Sequence, residues 1–340
     1  MNVLKTKQKI SRVALFLIIT VCFYTVISVM PRRELYNGSN PMLKEGELPL
    51  IVAHRGGCDE FPQNTLEAFY NAYSVDKNIM METDVNITKD GVLILLHNEL
   101  LDATTNVTGL ASEWNYSDLI SQRVDFGYDN PTENKILSGE RRYFTVNGER
   151  RFPTDVIYPE GVTPRDEEIY LATTFEELLQ AFPSSRISVE IKQSGELGLR
   201  AAKEAVRLVE KYNAFDRVVF ASFHADVSRE FKRMKNDRLV PDTFMYSPGI
   251  VSIVKYYALA TLGIDSLYLD SISVLQIPVE KLGFRFDLER IVRSAHEHNL
   301  AVQYWTVNDE EEMHSLIKLG IDGIMTDKPT TLKKVLEEYK

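Results

Sequence analysis

Residues 51–57 read IVAHRGG, residues 62–69 PQNTLEAF and residues 81–105 METDVNITKDGVLILLHNELLDATT. Within about fifty residues they gather two histidines, an arginine and two closely spaced carboxylates, each beside an apolar run that reads as a buried strand. Glu82 and Asp84 stand two apart in the alternating segment Met80 to Val85, so they project from one face of a strand. Like charges placed side by side call for something positive between them. A hard divalent cation with oxygen ligands, Mg²⁺ or Ca²⁺, answers that need. Lys89-Asp90-Gly91 then reads as a turn, with Val92 to Leu96 as the returning arm of a hairpin that sets Asp84 opposite Leu96 and His97. His54 and Arg55 end the run Leu50 to Ala53, and Gly56-Gly57 lets the backbone pass close to a ligand. Asn64 or Thr65 caps a helical pattern through Leu66, Phe69, Tyr70 and Tyr73, whose free N–H groups are expected to face the same anion as Arg55.

Working outward, helices and strands alternate through most of the chain. Thr174 to Phe182 reads as a capped helix and Arg186 to Lys192 as a strand presenting Glu190 and Lys192 on one face. Residues 196–212 read as a helix, Val218 to Ser222 as a strand ending at Phe223-His224, Thr243 to Tyr246 and Ser266 to Leu269 as short strands, and Ile250 to Leu262 as the helix between them. Ala301 to Thr306 and Gly323 to Thr326 close the series. Only the link near residue 90 is too short for a crossover helix. The pattern is α/β, a distorted (β/α)8 TIM barrel over residues 49–340, where functional groups gather at the carboxyl ends of strands.

The order H-R-G, N-T, E-x-D and then His97, thirteen residues after Asp84, resembles the glycerophosphodiester phosphodiesterase family of the phospholipase-C-like superfamily. Val189-Glu190-Ile191-Lys192, Trp305-Thr306-Val307-Asn308 and Asp322 to Pro329 resemble later segments of the same family. The resemblance covers about residues 49–335 and implies that Glu82, Asp84 and Glu190 bind the cation. By the same resemblance His54 and His97 are the acid and base, while Arg55 and Lys192 hold the phosphate and Trp305 floors the pocket beneath the glycerol. The expected activity is hydrolysis of a glycerophosphodiester to glycerol 3-phosphate and an alcohol. The alternatives are a lysophospholipase D or phospholipase-C-like hydrolase of membrane lipid or glycerophosphate polymer, and an inactive membrane-tethered binding protein. Three positions depart from the family pattern, Gln63, Asn98 and Ala103, and none of them is a residue assigned to metal or proton transfer.

The 340 residues are 44% hydrophobic, enough for one barrel of about 250 residues with material to spare. The net charge of −10 argues against a nucleic-acid partner. Two cysteines exclude a disulfide framework, and Cys58, beside the proposed site, reads as a small loop residue with a nucleophile as its alternative. Residues 13–30, VALFLIITVCFYTVISVM, are apolar for long enough to cross a bilayer, with a basic tail at 1–12 and Arg32 and Arg33 beyond. This predicts an uncleaved single-pass anchor, with a cleaved signal peptide as the alternative, a cytoplasmic tail, a stalk at 31–48 and an extracytoplasmic catalytic domain. After the third strand an insertion at 111–170 breaks the alternation. Its legible hairpin turns at Asn147-Gly148, and its aromatics and arginines are expected to cover the pocket. His224, Tyr246, Tyr268 and Asp270 are further pocket or core candidates. His296 and His298 lie on different sides of one helix and do not read as a metal pair, and His314 reads as solvent-facing.

Overall fold

The computed structural model describes residues 2–130, 141–281 and 283–340, with the side chains of 2–12 excepted. Eight parallel strands form the barrel wall. They are β1 (Leu50–Ala53), β2 (Met80–Ile87), β6 (Ile187–Ile191), β7 (Val218–Ala221), β8 (Met245–Tyr246), β9 (Val274–Pro278), β12 (Ala301–Trp305) and β13 (Gly323–Thr326). Their order round the wall is β8-β7-β6-β2-β1-β13-β12-β9. Between β8 and β9 the ladder is open, and Ser273 bridges the gap by donating its N–H and hydroxyl to the Tyr246 carbonyl at 3.3 and 3.1 Å. The short β3 (Leu93–Leu95) lies antiparallel on β2 with Val85 opposite Leu95, so Asp84 faces Leu96 as the turn chemistry requires. Gly91 makes that turn at φ +87°.

Alternation along these strands divides the core in two. Leu50, Val52, Met80, Val219, Met245, Val274, Ala301 and Met325 point into the barrel, whereas Ile51, Met81, Val189, Phe220 and Ile324 pack outward against helices. Above the apolar floor sits a buried polar layer. Gln276 donates to Ser188 at 2.9 Å and to Gln303 at 3.0 Å, which satisfies amides that would otherwise be costly to bury.

Several expectations change. The run Ser266 to Leu269 is not a strand: Asp265–Leu267 is a 3-10 turn, and the wall strand is β9, further along. Asp265 accepts from Arg32 and Ser294, which pulls the chain inward at that point. Pro278 obscured β9 in the sequence, but it ends an edge strand, where a missing N–H is tolerated. Residues 31–48 are not a free stalk. Tyr36 and Met42 fill the amino-terminal mouth of the barrel, Asn40 donates to the Ser273 and Asn299 carbonyls, and Lys44 N–H donates to Asp322 at 2.6 Å.

The amino-terminal helix runs from Asn2 to Ser28, so the last two residues of the expected membrane span lie past its end. Among the described residues no helix is long and apolar enough to cross a membrane. The helix still exposes Val13, Phe16, Ile18 and Phe23, and Tyr24 ties its end to the barrel by donating to the Leu262 carbonyl at 2.9 Å.

The hairpin within the insertion forms as read, with β4 (Thr145–Val146) and β5 (Glu149–Arg150) joined by Asn147 and Gly148, both at positive φ. A second small ribbon pairs β10 (Glu280–Lys281) with β11 (Phe284–Arg285). Among the described residues of the insertion, none lines the cavity at the carboxyl end. Its arginines are spent elsewhere. Arg165 binds Glu67 and Glu177 and so fixes the insertion to the barrel's flank, while Arg150 binds Asp125 and lies 3.6 Å over the Tyr143 ring, holding the insertion to itself.

Candidate active site

At the carboxyl ends of the strands lies a cavity of about 170 Å³ lined by His54, Arg55, Glu82, Asp84, His97, Glu190, Lys192 and Trp305 among others. Every site residue expected from the sequence therefore meets at one place. Their convergence follows from register. Asp84 on β2 is the ladder partner of Glu190 on β6, and Glu82 lies on the same face as Asp84 two residues earlier. Glu82, Asp84 and Glu190 each offer a carboxylate oxygen, all within 4.8 Å of one another.

Burial makes this costly. Glu82 and Asp84 are 4% and 1% exposed. Burial, followed by the charge of Asp84, pushes Glu82 up to about 7. Burial also raises Glu190, with Asp84 adding to the rise. Asp84 is held low: burial would raise it, but Arg55 Nε at 3.2 Å and Lys192 Nζ at 3.6 Å more than offset that. Lys192 also donates to Glu190 at 3.0 Å. Three carboxylates against two cations leave a deficit of positive charge in a desolvated place, and the donors are all oxygen. That set fits a hard divalent ion.

The two imidazoles flank the acidic cluster in different surroundings. His54 Nδ1 donates to Asp327 Oδ1 at 2.5 Å, and its Nε2 lies 3.9 Å from Glu82. Burial would lower His54, but Asp327 and Glu82 outweigh it and leave the group raised. Asp327 is lowered to about 2: burial opposes this, but His54, Cys58 and Asn308 all bond its carboxylate. His97 donates from Nδ1 to the Asn98 amide oxygen at 2.6 Å, an uncharged partner. Burial, reinforced by Arg55 and Lys192, keeps His97 below its ordinary value despite Asp84.

Arg55 takes φ +53° directly after His54, which turns its N–H to Glu82 at 2.9 Å and its guanidinium to Gln63 Oε1 at 2.8 Å. Asn64, also at positive φ, donates to Asp84 at 3.1 Å and accepts from Thr83. The helix start beyond it is not an anion site: Thr65 caps it, Ala68 N–H bonds the Thr65 hydroxyl and Leu66 N–H bonds Thr173. Trp305 meets Phe223 edge to face at 5.6 Å, forming an aromatic wall opposite the carboxylates.

Other candidates resolve as structural. His224 stays off the cavity and donates to the Lys192 carbonyl at 2.7 Å. Tyr246 and Tyr268 are buried in the core, and Asp270 pairs with Lys232. His296 bonds Asp322, and His298 bonds the Arg33 carbonyl. His314 bonds the Tyr339 hydroxyl at the surface. Burial pushes the Cys58 thiol far up and Asp327 accepts its proton, so it is no nucleophile. Asp327 is the residue that the sequence reading left without a role. Its position just past β13, at the catalytic end of the wall, was the available signal.

A family model, described as the glycerophosphoryl diester phosphodiesterase family, matches residues 54–331. A glycerophosphodiester phosphodiesterase of Caldanaerobacter subterraneus subsp. tengcongensis is 27% identical over 83% of this chain and 96% of its own length. The lysophospholipase D GDPD3 of Homo sapiens is 24% identical, covering 85% of each chain. Among solved structures, the glycerophosphoryl diester phosphodiesterase domain of a Mycobacterium tuberculosis protein superposes with a TM-score of 0.64 at 18% identity, covering 85% of this chain and 99% of that one. An Oleispira antarctica phosphodiesterase, solved with its product sn-glycerol-3-phosphate, gives 0.59 at 18% identity over 85% of this chain and 97% of that one.

Proposed function

The chain belongs to the glycerophosphoryl diester phosphodiesterase family, and from that premise we propose that it hydrolyses glycerophosphodiesters to glycerol 3-phosphate and an alcohol with a divalent cation, Mg²⁺ or Ca²⁺, in the site. The observation that carries this reading is the meeting of Glu82, Asp84 and Glu190 within 4.8 Å beside two imidazoles in one cavity. The three carboxylates would hold the ion, which supplies charge neutralisation at the phosphoryl oxygens.

The remaining work falls to the chain's own residues. Arg55 and Lys192, already turned to the acidic cluster, bind the phosphate oxygens and oppose the charge that grows in the transition state. His97 presents a neutral ring whose Nδ1 proton is committed to Asn98, leaving Nε2 to accept the proton of the attacking hydroxyl. His54, whose proton affinity Asp327 raises, donates its Nε2 proton to the departing alkoxide. Trp305 and Phe223 receive the carbon skeleton. The apolar character of Phe223, Ile253 and Trp305 in the lining favours an acylated glycerophosphodiester, the lysophospholipase D reaction, as the second reading.

In the same reading, the apolar side chains exposed along residues 13–30 attach the protein to a membrane and hold the barrel at its surface. Glycerophosphocholine turnover followed by glycerol 3-phosphate release tests the activity. Chelation is expected to abolish it and Mg²⁺ or Ca²⁺ to restore it, while unchanged turnover in the chelated protein refutes the role given to the acidic cluster.

A further inference from the structure

The helix Ile250–Leu262 differs from its neighbours on the barrel's outside. On the helix before it, Ala225–Asn236, the outward residues are Arg229, Arg233 and Asn236; on the one after it, Glu289–Glu297, they are Glu289, Arg290, Arg293 and Glu297. Apart from Lys255 and Thr261, the exposed positions of Ile250–Leu262 are apolar: Ile250, Val251, Val254, Ala258 and Leu262. Val251 is 81% exposed, Val254 56% and Leu262 57%. Four positions at helical spacing make a continuous stripe, and the inward positions Tyr256 and Ala260 are buried, so the helix is apolar on both faces. A helix apolar all round does not belong at a water interface.

Both ends of the stripe lead somewhere. At its carboxyl end the Leu262 carbonyl accepts from Tyr24, near the end of the apolar amino-terminal helix. At its amino end Pro248 and Ile253 line the catalytic cavity. The stripe therefore lies on a helix whose amino end borders the pocket through the inward-facing Pro248 and Ile253 and whose carboxyl end meets the amino-terminal helix. The exposed Val13, Phe16, Ile18 and Phe23 make that helix a second apolar surface, joined to the end of the stripe by the Tyr24 hydrogen bond.

We infer that the outward face of Ile250–Leu262 lies on the bilayer surface, with the barrel on its side and the pocket rim at the lipid headgroups, so that the substrate is a glycerophosphodiester lipid drawn from the membrane. The inference rests on the hydrolytic reading of the cavity and on the anchor. Lys255, the one charge beside the stripe, turns its amine over the Tyr268 ring at 5.1 Å and leaves the stripe's outer edge apolar.

The test uses the full chain reconstituted in phosphatidylcholine vesicles and two substrates, water-soluble glycerophosphocholine and vesicle-borne lysophosphatidylcholine. Val251→Glu with Val254→Glu is expected to lower kcat/KM on the lysolipid at least tenfold and to leave glycerophosphocholine turnover within twofold, which also shows that the variant is folded. Equal rates for variant and wild type on the lysolipid overturn the inference. Val254→Trp supplies a readout independent of turnover: brominated phosphatidylcholine is expected to quench it beyond the wild-type signal, and no added quenching overturns the inference. Concentration-dependent dimerisation in detergent that the double substitution abolishes would assign the face to a second copy instead. If the wild type hydrolyses neither substrate, the hydrolytic reading itself has failed, an outcome distinct from any of these.

Discussion

Asp327→Asn isolates the contribution of the carboxylate behind His54. The substitution keeps the shape and the acceptor oxygen at the 2.5 Å contact but removes the charge that raises the imidazole's proton affinity. A hydrogen bond to a charged partner contributes roughly 1.5–3 kcal/mol, and about 1.4 kcal/mol is tenfold in rate. The expected loss in kcat/KM is therefore roughly 10- to 100-fold. The pH profile adds a signature that a structural role would lack. His54 is raised by Asp327 in the wild type and acts protonated, so its removal moves the basic limb of kcat/KM to lower pH. Cys58→Ala removes another donor to the same carboxylate and is expected to change the rate less than twofold. The assay is glycerol 3-phosphate release from glycerophosphocholine across pH, with thermal unfolding as a folding control. A basic limb that stays in place while the rate falls, or a wild-type rate in Asp327→Asn, refutes the assignment of His54 as the acid.

His97→Ala is expected to cost roughly 10²–10⁴-fold in turnover, with thermal unfolding unchanged, if it is the base; a rate near wild type removes it from the mechanism. In the metal-free protein, Glu82 has a folded value raised to about 7, above its unfolded one, so the stability it contributes is complete at acid pH and is lost as pH rises toward 7. Glu82→Gln should flatten that dependence in chelator, and thermal unfolding between pH 5 and 8 reads it. Asp322 is fully buried and accepts from Lys44 N–H, Val302 N–H and His296, so Asp322→Ala is expected to destabilise by about 3–5 kcal/mol in denaturant unfolding. Deleting residues 1–30 should leave a folded barrel, whereas deleting 1–48 also removes Met42 and Tyr36 from the floor and should yield insoluble protein or a large drop in thermal midpoint.

The site was legible because its pieces are local and periodic. Glu82 and Asp84 share a strand face at a spacing of two, and a three-residue turn brings His97 back within the same hairpin, so a short stretch fixes most of the geometry. Glu190 needed the family resemblance as well, since no local rule states that β6 pairs with β2 in the register that faces it to Asp84. Asp327 went unassigned for the same physical reason: its partner His54 lies 273 residues away in sequence, and only closure of the barrel through β1 and β13 brings them together.

Composition misled where a segment's surroundings reversed its polarity. Pro31, Gly38 and Pro41 with mixed charges read as an exposed stalk, but Tyr36 and Met42 turn inward, Asn40 between them donates to the Ser273 and Asn299 carbonyls, and the Asn299 amide donates to the Tyr36 carbonyl. The opposite error would be to take every apolar helix for core. Val251, Val254 and Leu262 satisfy the spacing of a buried helix, and yet they face outward beside helices whose outward positions are charged. A chain folded in water alone gains nothing from that arrangement, since those three side chains forfeit about 1.5–3 kcal/mol each by remaining exposed. The energy is recovered only when a second apolar phase meets the stripe. In the proposed arrangement one bilayer serves both the stripe and the exposed apolar residues of the amino-terminal helix, and the vesicle assay with Val251→Glu and Val254→Glu tests that link.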